Sequence, residues 1–273
     1  MGRVICVCNQ KGGVGKTTTS VNLASCMALN ERRTLLIDLD PQANASSGMG
    51  IRLSQQEPSV YELLLTGKEH EHVIRKTMLQ FLDLIPSSQD LIGAEVELVS
   101  MKARERMLAL ALADIRNLYD YIFIDCPPSL GFLTLNALVA SDSVLIPVQC
   151  EYYALEGVGN LLNTIRRVRT HFNADLQIEG FLLTMFDPRN NLSRQVVEDV
   201  QTNLKSQVFE TIIPRNVRLS ESPSFGKPVV LYDITSRGAV SYLSLSKEIM
   251  DAEDGNGKKT YGFGTRSECS HSS

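Results

Sequence analysis

The chain has 273 residues, with 27 Lys and Arg against 31 Asp and Glu, a formal net charge of −4. Its 43% hydrophobic and 21% charged residues suffice for a full core and exclude a globally disordered chain; the length fits one large domain or two small ones. No run reaches the roughly 18 apolar residues of a membrane helix, the first residues are no secretory signal, and an evenly spread acidic charge argues against nucleic acid.

Val4–Cys8 is apolar at every position, the pattern of a parallel strand covered on both faces. It leads into Lys11-Gly12-Gly13-Val14-Gly15-Lys16-Thr17-Thr18, which opens a predicted helix over Lys16–Asn30. A nucleoside triphosphate needs backbone amides close to its oxygens, a helix N-terminus, a lysine for the β- and γ-phosphates and a hydroxyl for Mg²⁺. Gly12, Gly13 and Gly15, then Lys16, then Thr17 supply these in order.

Leu35–Leu39 is the second strand, and alternation puts Asp38 and Asp40 on one side of its end before Pro41 stops it. Phe81–Pro86 follows as a strand, then a long helix near Glu97–Leu118. The strand Tyr121–Asp125 ends in a carboxylate of the kind that holds Mg²⁺ through water, followed by Cys126-Pro127-Pro128. Helix Gly131–Ala140, strand Ser143–Val148, helix Ala154–His171, strand Ile178–Met185, helix Leu192–Ser206, strand Val208–Pro214 and helix Gly238–Met250 complete the series. Strand alternating with helix predicts one doubly wound α/β domain over residues 1–250, a mostly parallel sheet with helices on both faces. Asp251–Ser273 is polar and rich in Gly and Ser, which predicts a disordered tail.

Six cysteines form no C-x-x-C pair, and Cys6, Cys8, Cys126 and Cys150 sit in apolar surroundings, so they read as buried, reduced thiols of a cytoplasmic protein. The four histidines make no metal-binding constellation.

The loop departs from the common G-x-x-x-x-G-K-[ST] pattern, because Gln10 stands five before Gly15 and a second lysine, Lys11, precedes the glycine pair. Lys-Gly-Gly-x-Gly-Lys-Thr-Thr resembles the deviant P-loop of the ParA/MinD group of ATPases. The likeness runs from Val4 to about Met250 and is greatest with chromosomal, Soj-like ParA proteins. The resemblance implies that Lys11 reaches across an ATP-bridged homodimer to the partner's phosphates. It assigns Asp38 to the Mg²⁺ water shell with Asp125, and Asp40 to the attacking water. Pro127-Pro128-Ser129-Leu130-Gly131 is similar to the group's γ-phosphate sensor. Met185, Pro214 and Asn216 match residues that line the nucleotide, the last two at its base.

The resemblance further implies binding to non-specific DNA and a ParB-like partner that stimulates hydrolysis. Arg189 and Arg218 match the DNA-face arginines; Arg166, Arg167, Arg194, Lys227 and Lys247 are weaker candidates. The charge divides accordingly: residues 1–163 hold 13 basic and 18 acidic groups, 164–237 hold 10 and 8, and 238–273 hold 4 and 5. The polar tail lacks the amphipathic helix with which MinD-like members attach to membrane, so no membrane partner is expected. The alternatives are an ATPase that positions a protein cargo without touching DNA, and an enzyme that phosphorylates or amidates a small molecule.

Overall fold

The computed structural model describes residues 1–54, 56–66, 70–151, 156–204 and 207–255. In chain order, β1 (Arg3–Val7) leads to α1 (Lys16–Leu29), β2 (Thr34–Asp38), α2 (Asn44–Gly48), α3 (Val60–Thr66) and α4 (His70–Val73). Next come β3 (Arg75–Lys76), β4 (Leu82–Ile85), α5 (Leu91–Leu98), α6 (Met107–Ile115), β5 (Tyr121–Asp125), α7 (Phe132–Ala140) and β6 (Ser143–Gln149). The last are α8 (Glu156–His171), β7 (Gln177–Thr184), α9 (Asn191–Leu204), α10 (Val217–Glu221), α11 (Val229–Tyr232) and α12 (Arg237–Glu253).

The strands form one seven-stranded sheet in the order β3-β4-β2-β5-β1-β6-β7, parallel except for β3. Alternation sends each central strand's side chains into two cores. Cys6, Ile37, Ile124 and Ile146 face the layer of α3 and α5–α9; Ile5, Leu36, Phe123 and Leu145 face α1 and α12. Burying such a side chain is worth about 1.5–3 kcal/mol, so both faces need helical cover and β1 and β5 end up central. The register sets Asp38 beside Asp125 and Val7 beside Asp125, which gathers the carboxyl ends of β1, β2 and β5 at one rim.

The doubly wound sheet is as expected; three of the predicted segments differ, and residues 154–155 and 205–206 of two predicted helices lie outside the described residues. The long helix over 97–118 is two helices, α5 and α6, separated by turns in which Ala103 has φ 55°. Asn136 of α7 causes the break: its amide donates to the Arg104 carbonyl at 2.8 Å and its Oδ1 accepts from Leu108 N at 3.1 Å. Val208–Pro214 makes only single bridges to Phe181 and Phe186 instead of a strand. The Glu248 carboxylate takes the amides of Glu210 and Thr211, at 2.7 and 3.0 Å, which a strand would need for its ladder. The third is the helix at the end of the domain, which continues three residues past Met250 to Glu253, where that carboxylate pairs with Arg3 at 2.7 Å and accepts from the Tyr121 hydroxyl. Residues 256–273 of the expected tail lie outside the described residues, as does Cys269. The five described cysteines are buried and free. No described helix is long and apolar enough to cross a membrane.

Candidate active site

Residues 8–15 leave β1 and turn into α1 through two left-handed glycines, Gly13 at φ 73° and Gly15 at φ 87°. A side chain at either position would be strained. Among the described residues nothing stands within 4 Å of where a Cβ on Gly12 or Gly13 would be, so the loop is open at these glycines. Asn9 holds its base: the Asn9 amide donates to the Pro147 carbonyl at 2.7 Å, and its Oδ1 accepts from Lys11 N at 3.0 Å. Thr184 Oγ1 donates to the Val14 carbonyl at 2.9 Å, fixing the loop to the end of β7.

α1 begins with no side-chain cap and no acidic residue in its first turn. Its free amides and the positive end of its dipole therefore point into the open loop, an arrangement that suits an anion. Lys16 is buried, with Nζ 3.1 Å from the Lys11 carbonyl, and desolvation lowers its pKa while Asp125 opposes the shift.

Asp38 and Asp125 are both fully buried. Asp38 Oδ2 accepts from Ser46 N at 2.8 Å and Ser46 Oγ at 2.7 Å, and Oδ1 from Asp40 N at 3.3 Å. Asp125 Oδ1 accepts from Ser20 Oγ at 2.8 Å, whereas buried Oδ2 has no hydrogen-bond partner among the described residues. Desolvation raises both pKa values, Asp38 to about 6 and Asp125 to about 8; the charge of Asp40 adds to the first shift and the charge of Asp38 to the second. The Thr17 and Ser20 hydroxyls pull Asp125 the other way. A buried carboxylate with one bare oxygen, next to the Thr17 hydroxyl and an open anion cradle, has the chemistry that a hard cation carried by a phosphate would satisfy. Mg²⁺ with a nucleotide fits these residues.

Asp40 stands at the same rim on a turn that Ser87 secures, with Ser87 Oγ donating to the Asp40 carbonyl at 2.7 Å and Gln42 N to Asp40 Oδ1 at 3.0 Å. Met185, left-handed at φ 53°, closes the other side: its Cε would lie 4.0 Å from a Cβ on Gly15. Pro214 bridges to Phe186, and Asn216 caps α10 by accepting from Arg218 N at 2.9 Å. The fold thus brings Lys11 to Thr18, Asp38, Asp40, Asp125, Met185, Pro214 and Asn216 to one rim. Sequence reasoning missed Ser20, Ser46 and Glu151. Ser20 lies one turn beyond Lys16, a spacing that could have flagged it. Glu151 lies 4.0 Å from Lys11 Nζ and 3.8 Å from Arg215, and no local signal marks it.

Arg189 and Arg218 are surface residues outside this rim cluster, and each is already paired. Arg189 binds Asp187 through two nitrogens, at 3.0 and 2.9 Å, which draws the Asp187 pKa down to about 2. Arg218 contacts Glu221 at 2.9 Å and Asp233 at 3.2 Å.

A family model described as an AAA domain matches residues 2–178. The chain is 58% identical over 250 residues to the chromosome partitioning protein ParA of Myxococcus xanthus, covering 92% of this chain and 88% of that one. It is 57% identical over 249 residues to the sporulation initiation inhibitor protein Soj of Bacillus subtilis, covering 91% and 98%. Among solved structures, cobyrinic acid a,c-diamide synthase from Mycobacterium smegmatis with bound ATP analog and magnesium superposes with a TM-score of 0.83 at 36% identity, covering 96% of this chain and 100% of that one.

Proposed function

Because the chain belongs to the ParA/Soj family of chromosome-partitioning ATPases, we propose that it is a Mg²⁺-dependent ATPase switch whose ATP-bridged dimer binds DNA without sequence preference until a ParB-like partner stimulates hydrolysis. The carrying observation is the uncapped start of α1 facing an open loop beside Asp125, whose Oδ2 is buried and bare.

Mg²⁺ bound with ATP would neutralise charge on the phosphate oxygens. The protein's own groups do the remainder. Amides of residues 12–17 receive the phosphates, and Lys16 supplies a cation that is strong because it is desolvated. The Thr17 hydroxyl and Asp125 would hold the metal, Asp125 through water. Asp38 has less to offer a metal, since Ser46 occupies its Oδ2; it fixes the turn that carries Asp40. Asp40 then orients the attacking water. Lys11, from the second subunit, faces the phosphates, so hydrolysis requires association; cations delivered in this way contribute on the order of 10³–10⁵ in rate.

Asp40→Ala is expected to bind ATP and form DNA-binding dimers while hydrolysing poorly; a normal hydrolysis rate would refute the assignment. Sedimentation with ATP, ADP or no nucleotide, each with and without plasmid DNA, tests the whole reading. ATP alone should give the dimer and its co-sedimentation with DNA. The pairing of both Arg189 and Arg218 with carboxylates favours a second reading, an ATPase that positions a protein cargo without DNA. Absence of ATP-dependent DNA binding at low salt would decide for it.

A further inference from the structure

α5 reads Leu-Ile-Gly-Ala-Glu-Val-Glu-Leu and is apolar on more than one side. Leu91, Ala94 and Leu98 are buried and turn inwards, in the layer that α5 shares with α3 and α7. Ile92, Val96 and Val99, spaced four and three apart, form a second stripe that is 61%, 74% and 54% exposed. A helix with apolar residues on opposite sides is normally covered on both.

Two contacts tie α5 to the nucleotide rim. The chain enters it from Ser87, whose hydroxyl donates to the Asp40 carbonyl and whose amide donates to Ser46 Oγ. On its flank, Glu95 Oε1 lies 2.1 Å from where a Cβ on Gly131 would stand, and this buried oxygen has no hydrogen-bond partner among the described residues. Gly131 ends the segment that leaves Asp125 and precedes α7. The bare stripe thus lies on a helix that is tied both to the turn of Asp40 and to the segment after Asp125.

We propose that the outer face of α5, Ile92, Val96 and Val99, is the apolar part of the contact between two copies of this chain. The inference rests on the ATP-bridged dimer proposed above and supplies the surface that seals it. An apolar stripe complements itself across a two-fold axis. Exposed Asp90 begins the helix and exposed Lys102 follows it, so a two-fold axis perpendicular to the helix, which pairs the two copies antiparallel, sets opposite charges against each other. DNA does not suit this face, because Asp90 and Glu97 border the stripe and would repel phosphate.

Sedimentation velocity with Mg²⁺ and a non-hydrolysable ATP analogue tests it on the full chain, using Val96→Asp and the milder pair Ile92→Ser/Val96→Ser. Both variants should keep the wild-type circular dichroism spectrum and melting temperature without nucleotide, which shows that they are folded. Their dimer dissociation constants should rise by roughly a hundredfold, since each lesion occurs twice per dimer. Dimerisation at the wild-type midpoint would overturn the inference alone. A wild type that stays monomeric with the analogue would overturn the bridged dimer as well. Variants that dimerise normally but lose stimulation by a partner protein would assign the stripe to that partner, against the proposal.

Discussion

Asp125 shows how a single residue can be costly to the empty protein and useful to the loaded one. Its carboxylate is wholly buried, one oxygen on Ser20 and the other bare, beside the equally buried Asp38. Burial and the neighbouring charge favour the protonated form, so the folded pKa, about 8, lies above the unfolded value near 4. A folded state that binds protons more tightly than the unfolded one is most stable below the unfolded pKa and loses that stability as pH rises through the folded one. Metal-free, nucleotide-free protein should therefore melt at progressively lower temperature from about pH 4 to pH 8, the window set by these two values. Asp38, raised to about 6, acts in the same sense over the lower part of the range. Calorimetry in EDTA checks this, with Asp125→Asn as the control that flattens the upper part of the profile. Mg²⁺ with ATP should reverse the trend by stabilising the ionised form; a melting temperature that climbs steadily to pH 8 without metal would refute the argument. The P-loop was legible because its residues are contiguous. Ser46 and Glu151 were not, because each meets its partner only after the strands are laid side by side.

At the scale of elements, Asn136 decides where one helix ends and another begins. It is fully buried in α7, yet its side chain serves Arg104 and Leu108 in the preceding connection as well as Phe132 in its own helix. Asn136→Ala would leave the Leu108 amide and the Arg104 carbonyl without partners. Each orphaned buried group costs about 1–3 kcal/mol, so a loss of roughly 2–6 kcal/mol is expected. Urea unfolding should show a lower midpoint with an unchanged slope, and an unaltered midpoint would mean that the 99–106 connection is held by other contacts. No sequence pattern reveals this break, since the apolar periodicity runs through it and the cap comes from a residue about thirty positions away. β1, β2, β5 and β6 were legible because both of their faces are apolar. Val208–Pro214 has the same local character, but Glu248 of α12 takes two of its amides. β3 is two charged residues at the sheet edge, too short and too polar to register as a strand. Periodicity finds elements whose partners are layers; it misses those decided by one side chain.

For the molecule as a whole, charge makes any DNA affinity conditional on association. Each chain carries −4, and the 164–237 region, with 10 basic and 8 acidic groups, has an excess of only two. Within it, Arg189 and Arg218 already face Asp187, Glu221 and Asp233, so a phosphate must compete with built-in carboxylates. One subunit offering two such arginines should bind weakly at physiological salt. The proposed ATP-bridged dimer would present four, and the logarithm of affinity should then fall with the logarithm of salt with a slope near −0.9 per phosphate contact, about −4 in all. Anisotropy titrations with a random duplex from 50 to 200 mM salt, in ATP and in ADP, should give that slope in ATP and little binding in ADP. Arg189→Glu/Arg218→Glu should remove binding in both. Asp187→Asn should strengthen it, because it releases Arg189 while leaving the nucleotide rim intact. If Asp187→Asn weakens binding and the double arginine variant leaves it unchanged, these arginines hold their own loops in shape and the DNA face lies elsewhere on the dimer.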